Sequence, residues 1–471
     1  MRKRDLIIEF LQLITGIGLK KGKKAAPRFE LGIKDLQSSA LPLGHAAEGN
    51  KDFTSGDRIS QTTKDLLVLS NGHGEDLIAL RILEALHLLE PSLTFEVLPL
   101  VGEGKAFEKA VYEKWLIKIG PSFRLPSGGF SNQSFSGLIR DISAGVFCFA
   151  YKHWRYVRRS ALHGKVILAV GDLLPLFFAW SGGGMYGFIG TPKSDYTWTS
   201  SSGALLSDYY HRCKGSEWDP WEWVLMRSLR CKFVGVRDKL TARGLQRKSI
   251  RAFAPGNPMM DGFHKAECPQ DLLMFRRLLL LCGSRMPEAL MNFRRLISAA
   301  LQIKSPTPLA ILVTTGADPS LHELELCLEK LGFSKFCLQN NSLGVDTFWQ
   351  KDRFRVFIGI GKFHEWATYA EIGLANAGTA TEQLVGLGTP CVSLPGKGPQ
   401  FKKSFAMRQA RLLGGAVFPC RNSKHLAESV EVLLRNDSFR EQLSLQGVKR
   451  MGAHGGSAAL AQFALELLVR S

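Results

Sequence analysis

The sequence predicts an α/β protein of two units in tandem, each with its own sheet, facing each other across a cleft. Three observations carry that expectation. The buried-looking run Leu66-Leu67-Val68-Leu69-Ser70 ends in the turn Asn71-Gly72-His73-Gly74, and a helical pattern with Leu77, Ile78, Leu80, Ile82, Leu83 and Leu86 starts at once. The same strand–loop–helix rhythm restarts after about residue 270. At 471 residues the chain is too long for one ordinary core, so two domains of roughly 200 residues each are expected.

In the first unit, Thr94–Leu100 reads as a second strand and Ala106–Lys118 as a helix. Residues 120–136, rich in Gly, Ser, Pro and Asn, form a loop carrying Phe123, Phe130 and Phe135. A helix over Ile139–Arg159 ends in the basic, aromatic cluster Lys152, His153, Trp154, Arg155, Tyr156, Arg158 and Arg159. Val166–Val170 is a strand closed by Gly171-Asp172. An acid at that position suits helix capping as well as chemistry. Gly182–Gly187 formally spells a dinucleotide fingerprint, but a strand entry follows it where that motif needs a helix. Thr191–Trp198 is expected to be a polar loop in which Lys193 could meet a phosphate. Cys231–Val236 and Ala252–Pro255 are strands, with a helix at Leu240–Gln246 between them.

In the second unit the strands are Leu278–Cys282, Leu309–Val313, Val356–Ile358, Glu371–Asn376 and Pro390–Leu394. Helices are expected from Pro287 to Ala300, over Leu321–Leu331, and over residues 424–439 and 457–469. The predicted division is a leader or linker at 1–63, a first domain at 64–265, a second at 266–430, and C-terminal helices at 431–471 that pack back across the domains. Residues 1–63 combine a short apolar run at Leu6–Ile17 with the basic cluster Lys20, Lys21, Lys23 and Lys24. The run is too short and too polar for a membrane span. An organelle targeting segment is one reading of it.

Hydrophobic content of 45% and charged content of 22% are globular values. Nine cysteines without a C-x-x-C pair point to a reducing compartment rather than a disulfide framework. The net charge of +19 suits an anionic membrane surface or phosphorylated substrates. Nucleic acid is the weakest partner, because the basic residues are spread thinly and no nucleic-acid signature occurs.

Chemistry concentrates where strands end, since open α/β sheets bind ligands outside their carboxyl edges. In the first unit that places His73, flanked by Gly72 and Gly74, beside Asp172. An imidazole titrating near neutrality is suited to accept a proton. In the second unit Gly283-Ser284-Arg285 follows one strand, and Gly378-Thr379-Ala380-Thr381-Glu382-Gln383 follows another. An arginine beside a helix start can hold a diphosphate. Glu382 would repel a phosphate, but it can accept hydrogen bonds from paired sugar or ribose hydroxyls. No Walker A loop, H-E-x-x-H helix or nucleophile elbow occurs, and the histidines are too dispersed to assert a metal site.

These stretches resemble the glycosyltransferases of the two-domain GT-B fold. They are nearest to the lipid-A-disaccharide synthase-related proteins of cyanobacteria and plants, and more distantly similar to lipid-A-disaccharide synthase and the MurG transferase. The likeness spans residues 64–471 and rests on Ser70–Asp76, Phe188–Trp198, Gly256–Gly262, Leu280–Pro287, Asn376–Gln383 and Arg450–Gly456. It implies two Rossmann-like domains and a metal-independent hexosyl transfer from a nucleotide-diphosphate sugar, such as a UDP-sugar, with no further cofactor. The donor would lie on Ser284, Arg285, Gly378, Thr379, Thr381, Glu382 and Gln383. A lipid or lipid-like acceptor would lie beside Gly72, His73, Gly74 and Asp172, at an anionic membrane. The resemblance further implies a chloroplast protein, with the cytoplasm or mitochondrion as alternatives. Oligomeric state stays open. A nucleotide-sugar 2-epimerase using Glu75, Asp172 and His264, or a non-catalytic nucleotide-sugar binder, are the competing readings.

Overall fold

The computed structural model describes residues 66–72, 74–120, 146–199, 206–263, 266–338, 341–396 and 401–470. The strands of the first unit are set by apolar runs, most of which bury both faces. These are β1 (Leu66–Ser70), β2 (Phe95–Pro99), β3 (Leu116–Lys118), β4 (Val166–Gly171), β5 (Tyr186–Gly190), β6 (Cys231–Val236) and β7 (Ala252–Phe253). They form one sheet in the order β3-β2-β1-β4-β5-β6-β7. All pairings are parallel, as near-continuous apolar strands require. One face packs Leu66, Val68, Leu168 and Val170 against the helix Gly74–Leu89. The other packs Leu67, Leu69, Ile167 and Ala169 under the helices Val146–Leu162 and Leu173–Gly182.

The second unit holds β8 (Arg276–Leu281), β9 (Leu309–Thr315), β10 (Ser334–Phe336), β11 (Thr347–Lys351), β12 (Phe354–Ile360), β13 (Ile372–Ala375), β14 (Cys391–Ser393) and β15 (Val417–Pro419). Its order is β10-β11-β12-β9-β8-β13-β14-β15. The β10–β11 and β11–β12 pairs are antiparallel and the rest are parallel. Here the strand order reverses between β8 and β13; in the first sheet it reverses between β1 and β4. A crevice opens at each such point, outside the carboxyl ends of the strands.

Among the stretches assigned from the sequence, three depart from that reading, and β10, β11 and β15 are additional to it. Ala106–Lys118 is not one helix: a short helix at Glu108–Tyr112 gives way to the edge strand β3. The stretch 424–439 belongs to two helices, Ser423–Arg435 and Asp437–Met451, because Asn436 leaves helical geometry and caps the second through Phe439 N. Thr191–Trp198 ends in a helical turn, Tyr196–Thr199.

Chain returning from the second sheet closes the molecule. The helix Asp437–Met451 packs on the helix Thr379–Gly386, and the helix Gly456–Ala464 packs on Gly74–Leu89. Gly256 and Gly456 meet backbone to backbone: a Cβ on Gly256 would lie 2.9 Å from the Gly456 Cα. Asp261 then caps the helix Gly456–Ala464, accepting from the backbone N–H of Gly455 and Ser457. Asn257 holds the same junction by donating to the Met451 carbonyl at 2.8 Å. The sequence stretches Gly256–Gly262 and Arg450–Gly456 are therefore two halves of one joint. No described helix is long and apolar enough to cross a membrane.

Candidate active site

The loops following β1 and β4 flank the reversal point of the first sheet. Gly72 takes a positive φ of 91° to start the turn after β1, a backbone region that glycine enters without steric cost. Asp76 locks the turn from inside. It is buried, accepts from Ser70 Oγ and from Gly72 N, and burial pushes its carboxyl up to about 6 against those two hydrogen bonds. His73 lies outside the described residues, as do His264, Phe123, Phe130 and Phe135.

Beside that turn sits a pair of carboxyls. Asp172 caps the helix Leu173–Gly182, accepting from Leu174 N at 2.9 Å. Its capping role does not remove it from the cleft, because the same carboxylate faces Asn71 and lies in the fields of Lys193 and Glu75. Glu75 accepts from Thr191 Oγ1 at 3.3 Å and packs over Gly171. Burial is the largest influence on Glu75 and pushes its carboxyl up to about 7. The charge of Asp172 adds to this, while the Thr191 and backbone hydrogen bonds oppose it. Burial likewise raises Asp172. The side-chain oxygen of Asn71 is buried with no hydrogen-bond partner among the described residues. A proton-holding acid, a second carboxyl and an unsatisfied acceptor thus share one corner of the cleft. That set can bind a hydroxyl and move its proton.

Lys193 does not wait for a phosphate. Its ammonium contacts Glu222 Oε2 at 2.5 Å and Asp219 Oδ2 at 3.3 Å, which ties the loop after β5 to the helix Pro220–Met226.

In the second domain the loops after β8 and β13 lie side by side. A Cβ on Gly283 would lie 3.3 Å from the Asn376 carbonyl oxygen, and Asn376 N donates to Leu281 O. Asn376 pins the edge further through Asn292, Leu394 N and Leu394 O. Ser284 is exposed and Arg285 half-buried, with Glu288 near its guanidinium. Gly378 is the N-cap of the helix Thr379–Gly386, and Thr379 is exposed at its start. Thr381 is fully buried and donates to the Ala377 carbonyl, so its side chain serves the helix start. Gln383 donates to the Met259 carbonyl at 2.8 Å and faces the joint between the domains. Glu382 meets Arg237 across the cleft, Oε2 to Nη2, at 2.8 Å.

The two sets of loops face each other. A Cβ on Gly74 would stand 3.6 Å from the Thr379 hydroxyl, so two helix starts, one from each domain, meet at the cleft. Sequence reasoning missed Asn71, Thr191 and Arg237 as members of this site. Thr191 and Arg237 also directly follow strands, which was the available signal.

Two Rossmann-like domains whose crevices face across a cleft define the GT-B fold, and this chain has it. Solved structures of that fold superpose over most of the chain. A UDP-glucose:anthocyanidin 3-O-glucosyltransferase in complex with UDP matches with a TM-score of 0.54 at 12% identity, covering 87% of this chain and 99% of that one. A Listeria monocytogenes protein assigned as a UDP-N-acetylglucosamine 2-epimerase matches with a TM-score of 0.52 at 13% identity, covering 86% and 96%. The S. aureus MnaA–UDP complex matches with a TM-score of 0.50 at 13% identity, covering 86% and 97%. No family model matches the chain, and no curated protein does. Among the described residues no group of three or more His, Cys, Asp or Glu side chains is placed to hold a metal ion.

Proposed function

We propose that this chain transfers a hexosyl or N-acetylhexosaminyl group from a nucleotide-diphosphate sugar to a lipid or lipid-like hydroxyl. The observation that supports it best is the meeting of the two crevices, with Gly74 facing Thr379. On this reading the diphosphate lies against Arg285 and the N–H groups at the start of the helix Thr379–Gly386, and Glu382 accepts from the ribose hydroxyls. The acceptor hydroxyl sits between Glu75, Asp172 and the loop bearing His73. Its oxygen forms the new bond to the anomeric carbon and its proton passes to Asp172 or His73. The anomeric carbon–oxygen bond breaks toward the diphosphate, whose charge Arg285 and the helix start stabilise.

The exposed face of the helix Val146–Leu162 favours a lipid acceptor at an anionic membrane. It presents Tyr151, Lys152, Arg155, Arg158, Arg159 and Leu162, and the helix contains no acidic residue. Action at a chloroplast membrane belongs to the same proposal.

The paired carboxyls also favour a second reading, 2-epimerisation of the nucleotide sugar. There Glu75 and Asp172 would move the C2 proton of a sugar that stays in the cleft. One experiment separates the two. The protein is incubated with tritiated nucleotide sugars, with and without a chloroplast lipid extract. Label in the lipid phase supports transfer. Label in a new sugar without lipid supports epimerisation. Intact donor in every arm contradicts both.

A further inference from the structure

Arg237 follows β6 in the first domain, yet its side chain ends in the second. It is buried, with 5% of the side chain exposed, and it lies under the first turn of the helix Thr379–Gly386. One nitrogen, Nη2, contacts both Glu382 Oε2 at 2.8 Å and the Met451 sulfur at 3.1 Å. Its Nε is buried with no hydrogen-bond partner among the described residues. A cation in such a place is costly unless its partner carboxylate stays put, so the pair fixes Glu382 as firmly as it fixes itself. Only one carboxylate oxygen takes part in the contact. The other is left to a second donor, in an orientation the guanidinium has already selected.

We infer that Arg237 is a positioning residue for the nucleotide: it orients Glu382 toward the ribose diol, and it does so from the opposite domain. The inference rests on the proposed donor site. Nucleotide affinity is then coupled to domain contact, because Glu382 is held only where β6 lies against the helix Thr379–Gly386. Domain contact here also includes Arg81, whose Nη1 donates to the Pro258 carbonyl and whose Nη2 lies 3.2 Å from His364 Nε2. Removing Arg237 alone thus leaves the domains joined.

The test is a double-mutant cycle read by calorimetry, with uridine and UDP as probes and the thermal midpoint measured beside them. Arg237→Met and Glu382→Gln should each weaken both probes by about tenfold, the loss typical of one charged hydrogen bond. The double variant should bind no worse than either single one. Arg237→Lys keeps the charge. It should show a smaller loss of the same kind, and none on the Glu382→Gln background. Multiplying losses in the double variant, or tighter binding in Arg237→Met, would overturn the positioning role; the latter would mean that arginine and ribose compete for Glu382. If Glu382→Gln leaves both probes unchanged, the donor-site reading fails instead.

Discussion

Glu75 holds its proton well into the neutral range because burial outweighs its hydrogen bonds, with the Asp172 charge adding to the effect. Its folded pKa of about 7 lies above the ordinary 4.5, so the folded state binds the extra proton between those values. Stability from this group is full below pH 4.5 and is lost as pH rises through 7. Glu75→Gln, which cannot ionise, should raise the thermal midpoint at pH 8 and leave it unchanged at pH 4. The gain is at most on the order of 3 kcal/mol. Transfer should fall by about 10²–10⁴-fold in the same variant if Glu75 handles a proton. Asp172→Asn and His73→Ala are its companions. The larger loss of turnover at unchanged nucleotide affinity identifies the base, and parent rates in both would remove the first-domain loops from the chemistry. The sequence made His73 and Asp172 conspicuous, since glycines bracket one and a strand precedes the other. It did not show how buried Glu75 is, because the residues that enclose it, Thr191 and Gly171, lie far along the chain.

Elements with long apolar runs were legible, and short edge elements were not. β8 and β9 stand where their runs of Leu, Ile and Val put them. β3, β10 and β15 have three residues each, and β10 is exposed throughout, so no alternation marks it. The two-helix reading of 423–451 needed one polar residue, Asn436, to be seen as a cap. Caps make the sharpest predictions at this scale. Asp261→Ala removes both acceptors from the start of the helix Gly456–Ala464 and should cost about 1–2 kcal/mol in denaturant unfolding. Asp261→Asn should recover part of it; equal losses would mean that the aspartate acts by charge alone. On the outer face of the first domain, neutralising Arg155, Arg158 and Arg159 should reduce flotation with anionic vesicles. The expected loss is roughly 1 kcal/mol for each charge. Unchanged flotation would point to a soluble acceptor.

For the whole molecule, the proposed function sits at the reversal points of the two sheets. The sequence named the loops after β1, β4, β8 and β13 without revealing that each pair flanks a reversal, because strand order is a long-range property. It also gave no sign of the contacts that join the domains. Arg237 with Glu382, Arg408 with Glu217 and Arg411 with Asp208 link residues more than a hundred positions apart. The second-domain wall of this cleft is proposed as a nucleotide-diphosphate site facing the carboxyls of the first. Calorimetric titration of UDP and of uridine into the parent chain and into Arg285→Ala tests it most directly. UDP should bind the parent more tightly than uridine, and Arg285→Ala should erase most of that difference while uridine affinity holds. No UDP binding to the parent, or an equal loss for both ligands in the variant, would contradict it.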